Sequence, residues 1–208
     1  MTSDQYTRIK ADWRWRERVF GKFTGVADVR HVRNECRYPW ARHTWLTRMI
    51  WERFLPRVIY LYEPDKQEPL TYHHPDGTKF RLGRMETDMG SIPPFAQWLV
   101  QKDVFLFAFL FHDFCYDLNG LFARNIQRDV PTDADAWIPV DAQVPRDDWH
   151  FVEFNRGQAD NMLSCMIGAQ GGLLPQRLIV GGAVTIGGWS VWKKRKGEKP
   201  AVPKEWNA

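Results

Sequence analysis

The chain of 208 residues has a formal net charge of +4, and 44% of its residues are apolar and 26% charged, as in ordinary folded proteins. This composition excludes wholesale disorder and collagen-like repeats, and no apolar stretch reaches the about 20 residues of a membrane-spanning helix. Three widely spaced cysteines without a C-x-x-C pair argue against a zinc knuckle or a disulfide scaffold, and the polar N-terminus does not resemble a signal peptide.

Residues 1–57 are predicted to form an N-terminal extension rich in arginine and tryptophan. Residues 1–60 contain 13 Lys and Arg against six Asp and Glu, whereas acids are in excess in the rest of the chain. Guanidinium groups bind phosphates, and tryptophan rings stack on bases or lie at lipid headgroups, so membrane phospholipid, acidic proteins and nucleic acid are all compatible partners. Nucleic acid is the least favoured, and stacking of Arg on Trp within the protein is the simplest alternative.

A small β-hairpin is predicted after a short strand over residues 58–62. The β-prone runs 70–74 and 78–82 flank Pro-Asp-Gly, which is a typical turn sequence. The adjacent His73 and His74 point to opposite faces of a strand, so they cannot share one metal site without distortion, and both are expected to belong to the hairpin surface.

A long apolar helix is predicted from Asp103, as its N-terminal cap, to the Asn-Gly pair at 119–120, which ends it. Its first part, residues 104–111, consists of eight uninterrupted apolar side chains and is expected to lie at the centre of the core. His112 and Asp113 follow directly, so the same helix also contains ionisable groups that need partners.

The remaining elements are predicted from composition and helical spacing. Residues 124–150 are rich in Asp and Pro and are expected to form a surface excursion, and residues 151–170 a second helix that contains Asp160. Residues 178–192 are expected to form a buried terminal helix before the basic tail 193–208, with a short membrane-inserting or interfacial segment as the alternative.

The two predicted helices contain a candidate catalytic base. His112 and Tyr116 are spaced i, i+4 and therefore lie on one helix face. If the second helix packs antiparallel and presents Asp160 to His112, the carboxylate fixes the imidazole tautomer and raises its basicity. His112 would then be able to activate a water molecule.

Oxygen ligands suited to calcium are predicted next to this base. Asp113 points about a quarter-turn away from His112 and is expected to meet the loop at residues 88–93, which begins with Asp88. Carboxylates and backbone carbonyls are the ligands that Ca²⁺ prefers. Such an ion could polarise an ester carbonyl. The alternative is that the His and Asp side chains form a purely structural network in the core, in which each polar group has a hydrogen-bond partner.

The sequence FHDFCY at residues 111–116 resembles the H-D-x-C-Y helix signature of the secretory phospholipase A(2) superfamily, and the loop with Asp88 and Gly90 resembles the calcium loop of its bacterial members. The resemblance implies a calcium-dependent ester hydrolase. In it, His112 would be the base, Asp160 the carboxylate that orients this base, Tyr116 a hydrogen-bonding support, and Asp113, Asp88 and Gly90 parts of the calcium site.

A second resemblance covers more of the chain. The motifs T-D-x-G-S-I-P at 87–93, H-D-x-x-Y at 112–116 and Ala-Asp at 159–160, followed by Gly-Gly-Trp, are similar to those of a phage and prophage family of unknown function. This resemblance spans residues 58–192 and implies a phage context without an established activity.

We therefore predict an α+β fold that is mostly α, with two antiparallel core helices carrying the site, a terminal helix and a small hairpin. The expected units are the extension 1–57, a phospholipase-like domain over 58–192 and the tail 193–208.

Two functions are compatible with this sequence. The first is a phage-associated, calcium-dependent lipid esterase that acts on bacterial membrane phospholipid. The second is a non-enzymatic virion or tail-assembly component, in which the His/Asp cluster is structural and the Arg/Trp-rich region docks on other phage proteins. Either protein is expected in the host cytoplasm after synthesis, and its incorporation into the virion is left open.

Overall fold

The computed structural model describes residues 15–36, 56–88, 104–125, 139–143, 146–187, 192 and 199–207. About 40% of these residues are helical and 34% lie in strands, which gives an α+β fold with two antiparallel sheets. The prediction of a mostly α protein is therefore wrong. The two core helices, the terminal helix and the hairpin are present, but the sequence patterns missed most of the strands.

Among the described residues, a first helix precedes six strands, and helices then alternate with the last two strands before two further helices follow. The strands are β1 (Lys22–Thr24), β2 (Ala27–Cys36), β3 (Pro56–Pro64), β4 (Thr71–His73), β5 (Lys79–Arg81), β6 (Met85–Thr87), β7 (Gly120–Asn125) and β8 (Arg146–Glu153). The helices are α1 (residues 15–20), α2 (Leu106–Leu118), α3 (Val140–Gln143), α4 (Arg156–Ala169) and α5 (Leu174–Gly187), and a 3₁₀ turn spans Lys204–Trp206.

The strands form a five-stranded sheet in the order β1-β4-β5-β7-β8 and a three-stranded sheet in the order β2-β3-β6. All neighbouring pairs are antiparallel. The predicted hairpin is confirmed as β4 and β5, joined by the Pro-Asp-Gly turn. Residues 15–36 of the predicted N-terminal extension contribute to both sheets, because β1 pairs with β4 and β2 with β3.

Strand β8 illustrates why the sequence patterns predict fewer strands than the structure contains. Its sequence, RDDWHFVE, was expected to belong partly to a surface excursion and partly to a helix. Only Trp149 and Val152 are buried, while the charged residues of the strand remain at least partly exposed. A strand with one solvated face needs few apolar residues, and the pairing with distant β7 supplies the stabilisation.

Helices α2 and α4 pack against each other, and α2 also contacts the larger sheet. Eight residues of α2 are buried, and its Phe111 ring lies edge-on to Tyr72 of β4, with 6.3 Å between the ring centroids. Asn119 ends α2 in the left-handed conformation, as the Asn-Gly pair predicted. Helix α4 begins at Arg156 behind an Asn155–Gln158 capping box, five residues later than predicted.

A side chain at the end of α4 supplies hydrogen bonds to the backbone at the N-terminus of α2. Phe105 occupies the N-cap position and supplies no side-chain hydrogen bond, and the predicted cap Asp103 lies outside the described residues. The amide of Gln170, at the end of α4, accepts a hydrogen bond from the backbone N–H of Ala108 at 2.9 Å and donates one to the carbonyl of Val104 at 3.1 Å. One side chain thus joins the two helices.

Helix α5 is mostly half-buried or exposed. Of its residues with a described side chain, only Val180 is buried, so the predicted buried terminal helix is wrong in this respect. Within the described ranges, no helix has both the length and the apolar character required to cross a bilayer. In the predicted basic tail, Trp206 packs on Trp149, and the amide of Asn207 makes two hydrogen bonds with the Trp149 backbone.

Candidate functional site

Helices α2 and α4 bring together a histidine, a tyrosine and an aspartate. His112 Nε2 lies 3.2 Å from Asp160 Oδ1, and the Tyr116 hydroxyl donates to the same oxygen at 2.6 Å. The imidazole and phenol rings are neighbours on one face of α2, with centroids 4.1 Å apart and planes inclined by 38°. The i, i+4 spacing and the antiparallel packing of the two helices produce this cluster.

Arg156 occupies the second oxygen of the same carboxylate. Its Nε lies 3.6 Å from Asp160 Oδ2, one turn earlier on α4, and its guanidinium also donates to the carbonyl of Thr185 on α5. Sequence reasoning missed this residue, although the i, i+4 spacing between arginine and aspartate could have identified it. Asp160 therefore has a partner on each helix of the site, and the arginine connects it to a third helix.

The surroundings favour an ionised carboxylate. Burial opposes ionisation of Asp160, but hydrogen bonds from His112 and Tyr116 and the positive charge of Arg156 hold its pKa below the usual value. Burial and the hydrogen bond to Asp160 raise the pKa of Tyr116, so this phenol remains a donor.

An ionised Asp160 also determines the histidine tautomer. A carboxylate only accepts hydrogen bonds, so Nε2 of His112 bears a proton, and in the neutral imidazole the lone pair is then on Nδ1. Nδ1 lies on the side of Asp113, 4.0 Å from its Oδ1. In the neutral imidazole, the nitrogen with the lone pair thus faces the carboxylate of Asp113.

The site lies at the edge of the core. The side chains of His112 and Asp160 are 7% and 9% exposed, and that of Asp113 is 18% exposed. The ring of Trp192 lies edge-on to Tyr116, with 4.8 Å between centroids. Exposure therefore increases from the dyad towards Asp113.

The two described residues of the predicted calcium site lie at the end of β6 and on α2. The hydroxyl of Thr87 donates to Asp113 Oδ2, which places the end of β6, and hence the following Asp88, beside the helix. Gly90 lies outside the described residues. Hydroxyl and carboxylate oxygens suit a hard cation, which normally takes six to eight oxygen ligands. The donor chemistry fits, and further ligands would have to come from other parts of the chain.

In the part of the chain that the structure describes, no group of three or more His, Cys, Asp or Glu side chains is placed to hold a metal ion. The calcium site therefore stays a prediction. A nucleophilic cysteine is disfavoured, because Cys115 is buried and burial raises the pKa of its thiol.

A second histidine–aspartate pair lies in the turn of the β4–β5 hairpin. His74 Nδ1 is 2.9 Å from Asp76 Oδ1, and both side chains are almost completely buried. Asp76 also accepts hydrogen bonds from the backbone N–H and the hydroxyl of Thr78. The expectation that both histidines belong to the hairpin surface is wrong for the buried His74. His73 is half-buried, and its Nε2 lies 2.8 Å from the hydroxyl of Thr24.

The chain matches no known protein family, no curated protein and no solved structure with which it was compared.

Proposed function

We propose that this protein is a phage-associated, calcium-dependent lipid esterase of the phospholipase type, in which His112 activates the attacking water. The observation that supports this most directly is the His112–Asp160 dyad with Tyr116 on the same oxygen, at 3.2 Å and 2.6 Å. A general base needs an oriented, basic imidazole, and an ionised carboxylate on Nε2 provides both properties.

In the proposed reaction, Nδ1 of His112 accepts a proton from water while the water oxygen attacks the ester carbonyl carbon. Asp160 stabilises the resulting imidazolium, and Tyr116 and Arg156 hold Asp160 in position. The imidazolium then returns the proton to the alkoxide oxygen as the C–O bond breaks, which leaves a fatty acid and an alcohol. Asp113 and Asp88 would hold calcium, which polarises the ester carbonyl when it is bound.

The second candidate is a non-enzymatic virion or tail-assembly component. The observation in its favour is the low exposure of the dyad, because a buried histidine whose carboxylate has several donors can be purely structural. Here the cluster would hold α2 against α4, and the Arg/Trp-rich N-terminal region would dock on other phage structural proteins.

Fatty acid release from mixed phosphatidylglycerol and phosphatidylethanolamine vesicles distinguishes the two functions. We expect release with calcium and none with a chelator, a loss of about 10²-fold or more in His112→Asn because a general base contributes about that much, and a comparable loss in Asp113→Asn. His31→Asn is the matched control, because His31 lies exposed on β2. Absence of release by the folded wild type, with no rise in melting temperature on adding calcium, would exclude the esterase and favour the structural role.

A further inference from the structure

The molecule has an exposed apolar and basic face where α1, the start of α2 and the α4–α5 turn meet. Isolated exposed apolar residues are ordinary, but a contiguous group of them marks a surface for interaction. Each large apolar member of this face is at least 47% exposed. We define the apolar–basic face by Trp15, Val104, Leu173, Leu174 and Leu178 together with Arg16, Arg18, Lys22 and Arg177.

The three segments are joined by direct contacts. The amide of Gln170, in the α4–α5 turn, donates to the carbonyl of Val104 at 3.1 Å. The guanidinium of Arg177 on α5 lies 4.3 Å from the centroid of the Phe20 ring at the end of α1. The exposed side chains therefore belong to one packed surface.

A cleft of about 300 Å³ opens within this face. Arg16, Glu17 and Lys22 contribute charged groups to its lining, and Phe23 and Phe107 contribute apolar rings. A cleft with both kinds of lining suits an amphiphile better than a purely polar solute.

The charge of the face is strongly positive. Glu17 is the one carboxylate among residues 15–23, where it lies 3.9 Å from Lys22, and residues 161–187 contain no Asp or Glu. Three basic residues lie on or next to α1, and Arg177 adds a fourth on α5. An anionic surface therefore complements this face.

Anionic lipid fits the combination better than an acidic protein. Leu173 and Leu174 are exposed at a helix–helix turn, and Trp15 lies beside arginine, which is the pattern of groups that enter the headgroup region while cations contact lipid phosphates. A protein interface would instead be expected to have few charges at its centre.

We propose that the apolar–basic face docks this protein on an anionic phospholipid bilayer, an inference that rests on the proposed lipid esterase function and names the surface through which it meets its substrate. His112 follows Leu106, the first residue of α2, by six residues. At 1.5 Å per residue this is about 9 Å, less than the about 15 Å of hydrocarbon in one leaflet. Along the axis of α2, the dyad therefore lies within the thickness of one leaflet from this face.

Vesicle flotation of the full-length protein in chelator tests the proposal without hydrolysis. We expect binding to phosphatidylglycerol vesicles at least tenfold stronger than to phosphatidylcholine vesicles, and weaker as salt increases. The double variant Leu174→Glu/Leu178→Glu should lower this binding at least tenfold, and Arg18→Glu should lower it less. Val32→Glu is the matched control, because Val32 is an exposed apolar residue on β2.

Equal binding by the leucine variant and the Val32→Glu control, or no binding by the wild type, would overturn the proposal. Self-association that the leucine substitutions abolish, without vesicle binding, would also overturn it and assign the face to a second copy of the chain. These results can be told apart from a failure of the esterase function. Vesicle binding without fatty acid release would exclude the esterase and support the docking face. Hydrolysis of a monomeric short-chain phospholipid without vesicle binding would support the esterase and exclude the docking face.

Discussion

Among the residues that the structure describes, two buried histidine–carboxylate pairs are built in opposite ways. His74 and Asp76 are two residues apart in one turn, and their side chains are 1% and 0% exposed. His112 and Asp160 are 48 residues apart on two helices and lie at the edge of the core. The same two functional groups therefore occur once within a closed turn and once between elements whose packing alone brings them together.

The difference lies in what remains available for chemistry. Asp76 accepts hydrogen bonds from His74 and twice from Thr78, so its oxygens are occupied by the turn itself. In the interhelical pair, Nδ1 of His112 faces Asp113, which is partly exposed. Asp160 has three partners as well, so the pairs differ in the exposure beside the histidine and not in the occupancy of the carboxylate. A His–Asp contact alone therefore does not identify a reactive site.

Breaking the turn pair should have the largest effect on stability. We expect Asp76→Ala to lower the free energy of unfolding by about 3–5 kcal/mol, because removal of one partner leaves buried polar groups uncompensated. Urea denaturation followed by circular dichroism would measure this change. A loss below about 1 kcal/mol would contradict the view that the turn depends on this carboxylate.

Acid provides an independent check on the same residue. Burial opposes ionisation of Asp76, yet its hydrogen bonds with His74 and Thr78 hold its pKa below the usual value. Its stabilising contribution is therefore present above the unfolded-state pKa of about 4 and is lost as the pH falls through the lower pKa of the folded state. The wild type should lose more stability than Asp76→Ala between neutral pH and this acidic range.

Breaking the interhelical pair should affect activity more than stability. We expect Asp160→Asn to lower the rate of ester hydrolysis about 10- to 100-fold, the usual cost of losing a residue that orients a catalytic group. The NH₂ group of asparagine can donate to Nε2 of His112, which places the proton on Nδ1 and removes the lone pair that would accept a proton from water. Initial rates on a soluble short-chain phospholipid would measure the effect, and an unchanged rate with an unchanged pH profile would remove Asp160 from the mechanism.

The smallest expected effect concerns the phenol that shares the Asp160 oxygen. We expect Tyr116→Phe to lower the free energy of unfolding by about 1.5 kcal/mol, because one hydrogen bond to a charged acceptor is lost while the ring keeps its contact with His112. Thermal unfolding of the variant beside Asp76→Ala would measure both in one series. A larger loss in Tyr116→Phe than in Asp76→Ala would reverse the comparison.

Local signals in the sequence were sufficient for the elements whose partners are close in the chain. The Pro-Asp-Gly turn predicted the β4–β5 hairpin, and the Asn-Gly pair predicted the end of α2. The spacing of His112 and Tyr116 predicted the face on which they lie. That Asp160 meets this face required only one further assumption, the antiparallel packing of two helices.

The features that were missed depend on partners far away in the chain. Strand β8 contains too many charged residues for an alternating apolar pattern to reveal it. Residues 126–145 separate it in the sequence from its partner strand β7. The cap of α2 comes from Gln170, whose amide bonds Ala108 across 62 positions of sequence. Such contacts are selected by packing in three dimensions, so no local pattern contains them.

Gln170 has a consequence for the site that its position does not suggest. It fixes the start of α2 to the end of α4, and the dyad lies further along the same two helices. If one helix slid along the other by a single residue, His112 and Asp160 would move about 1.5 Å relative to each other, which is enough to break their contact of 3.2 Å. The Gln170 amide therefore helps to set the register of the two helices, and with it the alignment of His112 and Asp160, although it contacts neither of them.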